Sequence, residues 1–260
     1  MNILDNIIAD KLKEVALRKS LIPVSQLETS VLFERETISL TNKLRQSNTG
    51  IIAEHKRRSP SKSVINQGFN VFDVAKGYEK AGVCGMSVLT DGKYFGGSLD
   101  DLLTARASCN LPLLRKEFII DEYQLLEAKA YGADVILLIA AILTKTEIKQ
   151  FSEFAKRLNL DVLLEVHNEE ELHKSIMPSL DMLGVNNRNL KTFDVSLDTS
   201  KLLSNIIPDD FVKVSESGIS TIEAIKELQP YGYQGFLIGE NFMKTDDAGF
   251  SAKEFIESLL

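Results

Sequence analysis

Residues 134–167 read DVILLIAAILTKTEIKQFSEFAKRLNLDVLLEVH, and the fold of the chain can be predicted from this stretch. Its two continuous apolar runs, 134–140 and 161–167, are typical of strands that are buried on both faces in a parallel sheet. The segment between them, 144–159, alternates apolar and charged residues at helical spacing. A strand, a helix and a second strand within about 30 residues make a βαβ unit.

The same unit recurs along the chain from residue 50 onward. Similar apolar runs occupy residues 50–56, 84–90, 111–118, 134–140, 161–167, 181–187, 210–216 and 235–240. Helical patterns lie between them, and several end in glycine just before the next run, as helix C-termini commonly do. Eight strands separated by helices predict an α/β fold, a closed (β/α)8 TIM barrel. A doubly wound open sheet is the alternative, but no G-x-G-x-x-G follows any predicted strand.

The chain of 260 residues is within the range of a one-domain barrel. We expect a single domain, residues 1–260, with an N-terminal helical extension over 1–47 and the barrel over 48–260. In the extension Ile3, Ile7 and Val15 recur at near-helical spacing among charged residues. Because eight βα units complete a barrel, we expect the barrel to fold without residues 1–44.

Composition limits the classes of partner. A net charge of −7 argues against nucleic acid or an anionic membrane as the main partner. A local basic cluster, Lys56, Arg57, Arg58 and Lys62, is still suited to a small anionic ligand. Two cysteines make no disulfide framework. No apolar run approaches the roughly 20 residues of a membrane-spanning helix. We therefore expect a cytoplasmic protein.

Polar residues follow the predicted strands at the edge where such barrels hold their active sites. They are Glu54, Lys56, Lys116, Glu165, Asn186, Arg188, Glu216, Ser217, Gly239 and Glu240. Alternate residues of a strand share a face, so Ile52, Glu54 and Lys56 point the same way. A single charge there is more commonly half of a structural ion pair. Several charges of both signs that converge on one mouth favour a catalytic site.

Two glycine-containing turns predict a phosphate site. SESGIS, residues 215–220, follows the seventh strand, and IGENFM, residues 238–243, contains the end of the eighth. Barrels commonly bind phosphate at these two positions through backbone N–H groups. The residues S-G-I alone are also typical of a helix N-cap. The prediction of a phosphate site therefore depends on the position of the turn after the seventh strand.

Seven ordered motifs at the strand ends resemble the indole-3-glycerol phosphate synthase family. They are AEHKRRSPSKS (53–63), SVLTDGKYFGGSLDDL (87–102), LLRKEFIIDEYQL (113–125), LLEVHNEEEL (163–172), LGVNNRNLKTF (183–193), SESGI (215–219) and LIGENFM (237–243). The resemblance implies a carboxy-lyase of tryptophan biosynthesis. Such an enzyme closes the indole ring of 1-(2-carboxyphenylamino)-1-deoxyribulose 5-phosphate with loss of carbon dioxide and water, and it needs no metal or organic cofactor.

The resemblance also implies roles for individual residues. Lys116 corresponds to the general acid of ring closure, Glu165 to the general base of dehydration, and Glu54 to its supporting carboxylate. Lys56 corresponds to the lysine that meets the anionic groups of the substrate and acts as an acid in dehydration. The remaining matched positions orient the substrate carboxylate (Asn186, Arg188), bind phosphate (Ser217, Gly218, Gly239, Glu240, with Lys56), line an aromatic pocket (Phe95, Phe118, Leu137, Leu190) or support the site (Ser59, Glu216). For the pocket residues, plain barrel core is the alternative.

Two departures from the family pattern stand in the first motif. Ser63 replaces a usual glycine, and His55 replaces a usually apolar residue on the face that points away from the site. His167, two residues past Glu165, is expected at most behind the reacting groups. With His55 and His173 it forms no metal-ligand pattern. By resemblance, the extension lies over the barrel mouth.

Two other functions remain as alternatives. A phosphoribosylanthranilate isomerase is a related barrel with the same phosphate handle, but it requires a cysteine after strand one and an aspartate after strand six. An inactive barrel that serves as a binding subunit would be expected to lack Lys116 or Glu165. We expect a small phosphorylated substrate, and a monomer or weak homodimer that works beside other tryptophan-pathway enzymes.

Overall fold

Each predicted apolar run overlaps one strand in the computed structural model, which describes residues 3–190 and 192–260. The strands are β1 Ile51–His55, β2 Gly85–Leu89, β3 Leu113–Lys116, β4 Val135–Ile139, β5 Asp161–Val166, β6 Met182–Asn186, β7 Val212–Glu216 and β8 Tyr233–Ile238. Each strand pairs in parallel with the next, and β8 pairs with β1, so the sheet closes on itself. The prediction of a (β/α)8 barrel is confirmed.

Helices connect consecutive strands and cover the outside of the barrel. Three precede the barrel: α1 Ile3–Leu21, α2 Val24–Glu28 and α3 Leu40–Arg45. Those within and after it are α4 Val71–Ala81, α5 Gly92–Phe95, α6 Leu99–Ser108, α7 Tyr123–Ala130, α8 Lys145–Arg157, α9 Glu169–Ser175, α10 Asp198–Ser204, α11 Ile222–Leu228, α12 Glu240–Met243 and α13 Ala248–Leu259. The helix of the opening stretch, α8, begins at a capping box, in which Thr144 and Glu147 each bond the other's backbone N–H.

The two faces of each strand belong to different cores. Ile52, Leu114 and Leu163 point into the barrel, where they pack in one buried cluster. Ile51 and Ala53 point outward, into the cluster shared with the helices. His55 is on this outward side, as expected, and is buried. Burial lowers the pKa of His55 to about 4.

The extension contacts the barrel at both ends. At the carboxyl-terminal end of the strands, Lys11 Nζ of α1 lies 3.0 Å from a carboxylate oxygen of Asp91 and 3.0 Å from one of Glu117. At the opposite end, α3 inserts Leu40 and Leu44 into the inner core, where they are 0% and 1% exposed. The barrel interior is therefore closed at its base by residues of the extension.

The expectation that the barrel folds without residues 1–44 needs correction for this reason. Their removal would expose the base of the inner core by taking away both leucines. It would also remove Thr41, which donates hydrogen bonds to Asp161 through its backbone N–H and its hydroxyl at 3.0 and 2.9 Å. The eight βα units form the closed sheet, but they do not complete its core.

Leu44→Ala tests the role of α3. We expect it to lower the free energy of unfolding by about 2–5 kcal/mol, since the cavity that it leaves is enclosed by the barrel. Urea denaturation monitored by circular dichroism measures the loss. Leu202→Ala is the matched control, because Leu202 is 71% exposed on α10. Equal stability of the two variants would contradict the placement of Leu44 in the core.

Candidate active site

A cavity of about 500 Å³ opens at the carboxyl-terminal ends of the strands. All the residues to which the family resemblance assigns a role line it: Glu54, Lys56, Ser59, Phe95, Lys116, Phe118, Leu137, Glu165, Asn186, Arg188, Leu190, Glu216, Ser217, Gly218, Gly239 and Glu240. They come from many different βα units, and the closed sheet brings them to a single mouth. The predicted convergence of charges is therefore present.

Lys116 lies at the centre of the charged groups. Its Nζ donates to Glu165 Oε2 at 3.0 Å and to Glu216 Oε2 at 2.5 Å. These residues stand at or near the ends of β3, β5 and β7, and the lysine side chain is 15% exposed. Burial alone would lower the pKa of Lys116, but attraction by Glu216, Glu165 and Glu54 raises it above its ordinary value. The side chain is therefore an ammonium ion with its proton held on.

A second ion pair forms at the end of β1. Lys56 Nζ lies 2.7 Å from Glu54 Oε1, and Ser87 Oγ donates to Glu54 Oε2 at 3.0 Å. Burial opposes the ionisation of Glu54, but Lys56 and Lys116 together lower its pKa. Glu54 is therefore a buried carboxylate whose two oxygens are both occupied.

The two glutamates beside Lys116 differ in their ionisation. Burial raises the pKa of Glu216, and the negative charges of Glu165 and Glu54 raise it further against the effect of Lys116. Burial acts on Glu165 in the same direction, yet Lys116, His167 and a hydrogen bond from Asn186 lower its pKa. Glu165 is therefore suited to act as a base, and Glu216 to hold a proton.

Two glycines make room for these carboxylates. A Cβ atom on Gly184 would lie 2.4 Å from Glu216 Oε1, and one on Gly239 would lie 2.9 Å from Glu54 Oε1. Gly184 is part of the motif LGVNNRNLKTF, but no pattern in the sequence indicates this role. Because Gly184 and Gly239 have no side chains, the carboxylates of Glu216 and Glu54 can occupy these positions.

The predicted phosphate turn after β7 has the backbone geometry of a tight turn. Ser217 and Gly218 have φ values of 66° and 79°, and a Cβ on Gly218 would lie 2.5 Å from Val195. Asn187 holds this turn by donating from Nδ2 to Ser217 O at 3.1 Å. Glu240 bonds Lys62 Nζ at 2.6 Å, so its side chain is directed at the loop after β1.

The other end of the cavity is apolar. The rings of Phe95 and Phe118 lie 5.9 Å apart, centroid to centroid, with their planes at 41°. Ile3, Leu4 and Ile7 of α1 also line the cavity, as expected for an extension that lies over the mouth. The site therefore has a charged centre, a glycine-containing turn on one side and an aromatic wall on another.

In the basic cluster after β1, Lys56 is directed inward to Glu54 and the two arginines are directed elsewhere. Arg57 forms a two-pronged ion pair with Asp101, at 2.5 and 2.9 Å. Arg58 Nη2 donates to the carbonyl oxygens of Gly92 and Lys93 at 2.7 and 3.0 Å. These arginines attach the loop after β1 to the segment after β2.

Several features were not found from the sequence. Ser220, Asn241 and Lys244 also line the cavity near the predicted phosphate turns. The sequence placed His167 at most behind the reacting groups, but it did not indicate the contact of its Nε2 with Glu165 Oε1 at 3.3 Å. Within 3–190 and 192–260, no group of three or more His, Cys, Asp or Glu side chains is placed to hold a metal ion. Over the same ranges, no helix is long and apolar enough to cross a membrane. Cys84 and Cys109 are buried free thiols.

Comparison with known proteins gives consistent matches over nearly the whole chain. Residues 4–255 match the sequence profile of the family described as indole-3-glycerol phosphate synthase. A protein of that name from Bacteroides thetaiotaomicron is 46% identical over 258 residues, covering 99% of each chain. Another from Caldanaerobacter subterraneus subsp. tengcongensis is 42% identical and covers 99% of this chain and 98% of its own.

More distant solved structures share the fold alone. Thiamine phosphate pyrophosphorylase from Pyrococcus furiosus superposes with a TM-score of 0.61 at 18% identity, covering 85% of this chain and 100% of its own. A structure described as native KDPGal gives a TM-score of 0.58 at 12% identity, with 82% and 94% covered.

Gly184→Ala tests whether the position of Glu216 matters. The added methyl group displaces the carboxyl from Lys116, and we expect turnover to fall about 10- to 100-fold, the usual cost of misplacing a reacting group. Steady-state kinetics with the substrate of the matched family measures the loss. Gly68→Ala is the control, because its Cβ would meet only Asn66 Oδ1, at 3.6 Å. Turnover in Gly184→Ala equal to that of the control would show that Glu216 need not contact Lys116.

Proposed function

The chain belongs to the indole-3-glycerol phosphate synthase family, and from this premise we propose how the residues of its cavity divide the family's reaction. The protein is a carboxy-lyase of tryptophan biosynthesis. It converts 1-(2-carboxyphenylamino)-1-deoxyribulose 5-phosphate into indole-3-glycerol phosphate, carbon dioxide and water. The observation that carries the proposal is the Lys116 ammonium bonded to both Glu165 and Glu216 in a cavity of about 500 Å³.

In ring closure, Lys116 is the general acid. The ring carbon that bears the carboxylate attacks the substrate ketone, and Lys116 gives the ketone oxygen a proton as the new carbon–carbon bond forms. The carboxylate then leaves as carbon dioxide, and its bonding electrons restore the aromatic ring. Positioned proton donors of this kind contribute about 10²- to 10⁴-fold in rate.

In dehydration, Glu165 is the general base. It takes a proton from the methylene carbon next to the ring nitrogen, while the hydroxyl made in ring closure leaves as water with a proton from Lys56. Glu54 supports this step, because its pairing at 2.7 Å fixes the ammonium group of Lys56. The carboxylate leaves as a neutral molecule, so each turnover takes up one proton overall.

The two ends of the cavity hold the two ends of the substrate. The phosphate binds at the turns of Ser217, Gly218 and Gly239, where the left-handed φ values at Ser217 and Gly218 direct the backbone sharply after β7. The substrate's aromatic ring packs against Phe95 and Phe118, with Leu137 and Leu190 beside them, and its carboxylate meets Arg188 and Asn186. Glu240 contributes only through its backbone, because its side chain is bonded to Lys62. Ser59 lies in the loop that covers the substrate.

Both chemical steps need only proton transfers that the named side chains can supply, and we propose that no cofactor takes part. The cytoplasm is the proposed location, because a reducing compartment suits the two unpaired thiols, Cys84 and Cys109. A monomer or weak homodimer, working beside other enzymes of tryptophan biosynthesis, remains our prediction for the assembly. Sedimentation velocity on the purified protein tests it.

The alternative functions have less support. The isomerase reaction requires a cysteine after β1 and an aspartate after β6, and this chain has Glu54 and Asn186 at those places. An inactive barrel would be expected to lose Lys116 or Glu165, whereas these two are bonded at 3.0 Å.

Lys116→Met and Glu165→Gln test the acid and base assignments. We expect each to lower kcat by about 10²-fold or more, since ring closure lacks its proton donor in one variant and dehydration lacks its base in the other. The rise of indole fluorescence after addition of substrate measures the rate. Lys253→Met is the control for loss of a lysine, because Lys253 is 55% exposed on α13. Near-normal turnover in either active-site variant would remove that residue from the mechanism.

Gly218→Ala tests the phosphate site. Alanine at a φ of 79° is strained, and its methyl group would meet Val195, so the turn must deform. We expect KM to rise about tenfold or more, with the preference for phosphorylated over dephosphorylated substrate largely lost. Competitive inhibition by each compound measures that preference. An unchanged preference would mean that the phosphate binds elsewhere.

A further inference from the structure

The contacts of Lys116 do not determine which of Glu165 and Glu216 is ionised, because Lys116 bonds both. Its single ammonium group bonds Glu165 at 3.0 Å and Glu216 at 2.5 Å. Two carboxylates that share one cation in a buried site do not both ionise easily, because like charges raise each other's pKa. The proposed mechanism needs Glu165 to be the ionised one. Another group must therefore distinguish between them.

His167 contacts one of the two glutamates. It lies just past the end of β5, and its Nε2 is 3.3 Å from Glu165 Oε1, the oxygen that Lys116 does not bond. The atoms are within ion-pair distance but do not form a hydrogen bond, so the contact acts through charge. Glu216 Oε1, the corresponding oxygen of the other glutamate, has no hydrogen-bond partner in the described part of the chain.

Glu171 holds the other side of the imidazole ring. Glu171 Oε2 lies 3.1 Å from His167 Nδ1 and also accepts from the backbone N–H of His167 at 2.8 Å. Asn168 Nδ2 donates to the second oxygen of Glu171 at 3.0 Å, which fixes the carboxylate at the start of α9. The His167 side chain is only 9% exposed and lies between two carboxylates. An imidazolium has an N–H on the side of each carboxylate, whereas a neutral imidazole has only one N–H.

We propose that His167, kept charged by Glu171, holds Glu165 ionised. Of the two glutamates bonded to Lys116, Glu216 is then the one that carries a proton. His167 is a positioning residue, since it acts on the substrate only through Glu165. The pKa shifts agree in direction: burial opposes protonation of His167, but Glu171 and Glu165 raise its pKa. This inference rests on the proposed role of Glu165 as the base.

Lys116, the other cation beside Glu165, does not make the same distinction, because it bonds both glutamates. The Glu54 charge on β1 acts in the same direction as His167, by raising the pKa of Glu216. Asn186 of β6 donates a hydrogen bond to Glu165, but it is neutral. Glu216 also attracts His167, though less than Glu165 and Glu171 do. His167 is therefore the cation that favours one glutamate over the other.

The test is the pH dependence of kcat in His167→Gln. Glutamine keeps a donor beside Glu165 but removes the charge, so the pKa of Glu165 rises. A base with a raised pKa stays protonated to higher pH. The acid limb of the profile should therefore move up by about one unit or more, with kcat near pH 8.5 within about twofold of the parent. Glu171→Gln should move the limb in the same direction, because His167 then loses its proton at lower pH.

His173→Gln is the matched control, because His173 is 57% exposed on α9 and pairs with the exposed Glu169. Its profile should coincide with that of the parent. An acid limb left in place in both His167→Gln and Glu171→Gln would overturn the proposal. So would a kcat lowered by the same factor at every pH, which is the mark of a structural role. Activity retained in Glu165→Gln would instead overturn the base assignment itself, so the two failures are distinguishable.

Discussion

The attraction between one buried ammonium and the carboxylates around it governs the catalytic end of this barrel. Lys116 at the end of β3 faces Glu165 from β5 and Glu216 from β7, and Glu54 of β1 adds to the field. Such groups cost free energy to bury and persist only when they are paired. The pairing keeps the proton on the lysine, while burial and the charges of Glu165 and Glu54 raise the pKa of Glu216. The same arrangement requires glycine at positions 184 and 239, where a side chain would occupy the space of a carboxylate.

The rest of the chain holds these groups at fixed distances. Inward-facing apolar residues fill the barrel below the charges, and Leu40 and Leu44 close its base. The same extension also contacts the mouth, where Lys11 pairs with Glu117, the residue next to Lys116. The extension therefore contributes to both the core and the site, which explains why a division into a barrel and a removable lid does not describe the structure.

The strands and the residues that line the mouth of the barrel could be predicted from the sequence, because both follow from local sequence patterns. Continuous apolar runs marked each strand, and alternation placed Glu54 with Ile52 on the inner face. The raised pKa of Glu216, the contact of His167 with Glu165 and the bond from Lys62 to Glu240 could not be predicted, because each depends on distances between side chains on different elements. Leu40 and Leu44 were missed because α3 has only six residues, Leu40–Arg45, too few for a clear pattern.

The central claim is that Lys116 is held as an ammonium ion by its glutamates and is therefore ready to protonate the substrate. NMR of protein with ¹³C-labelled lysine measures this directly, and the Lys116 signal is the one lost in Lys116→Met. Since Glu216, Glu165 and Glu54 together raise the pKa of Lys116, its signal should titrate above the ordinary lysine value of about 10.4. Titration below that value would show that the carboxylates do not hold the proton, and the account of the site would be wrong.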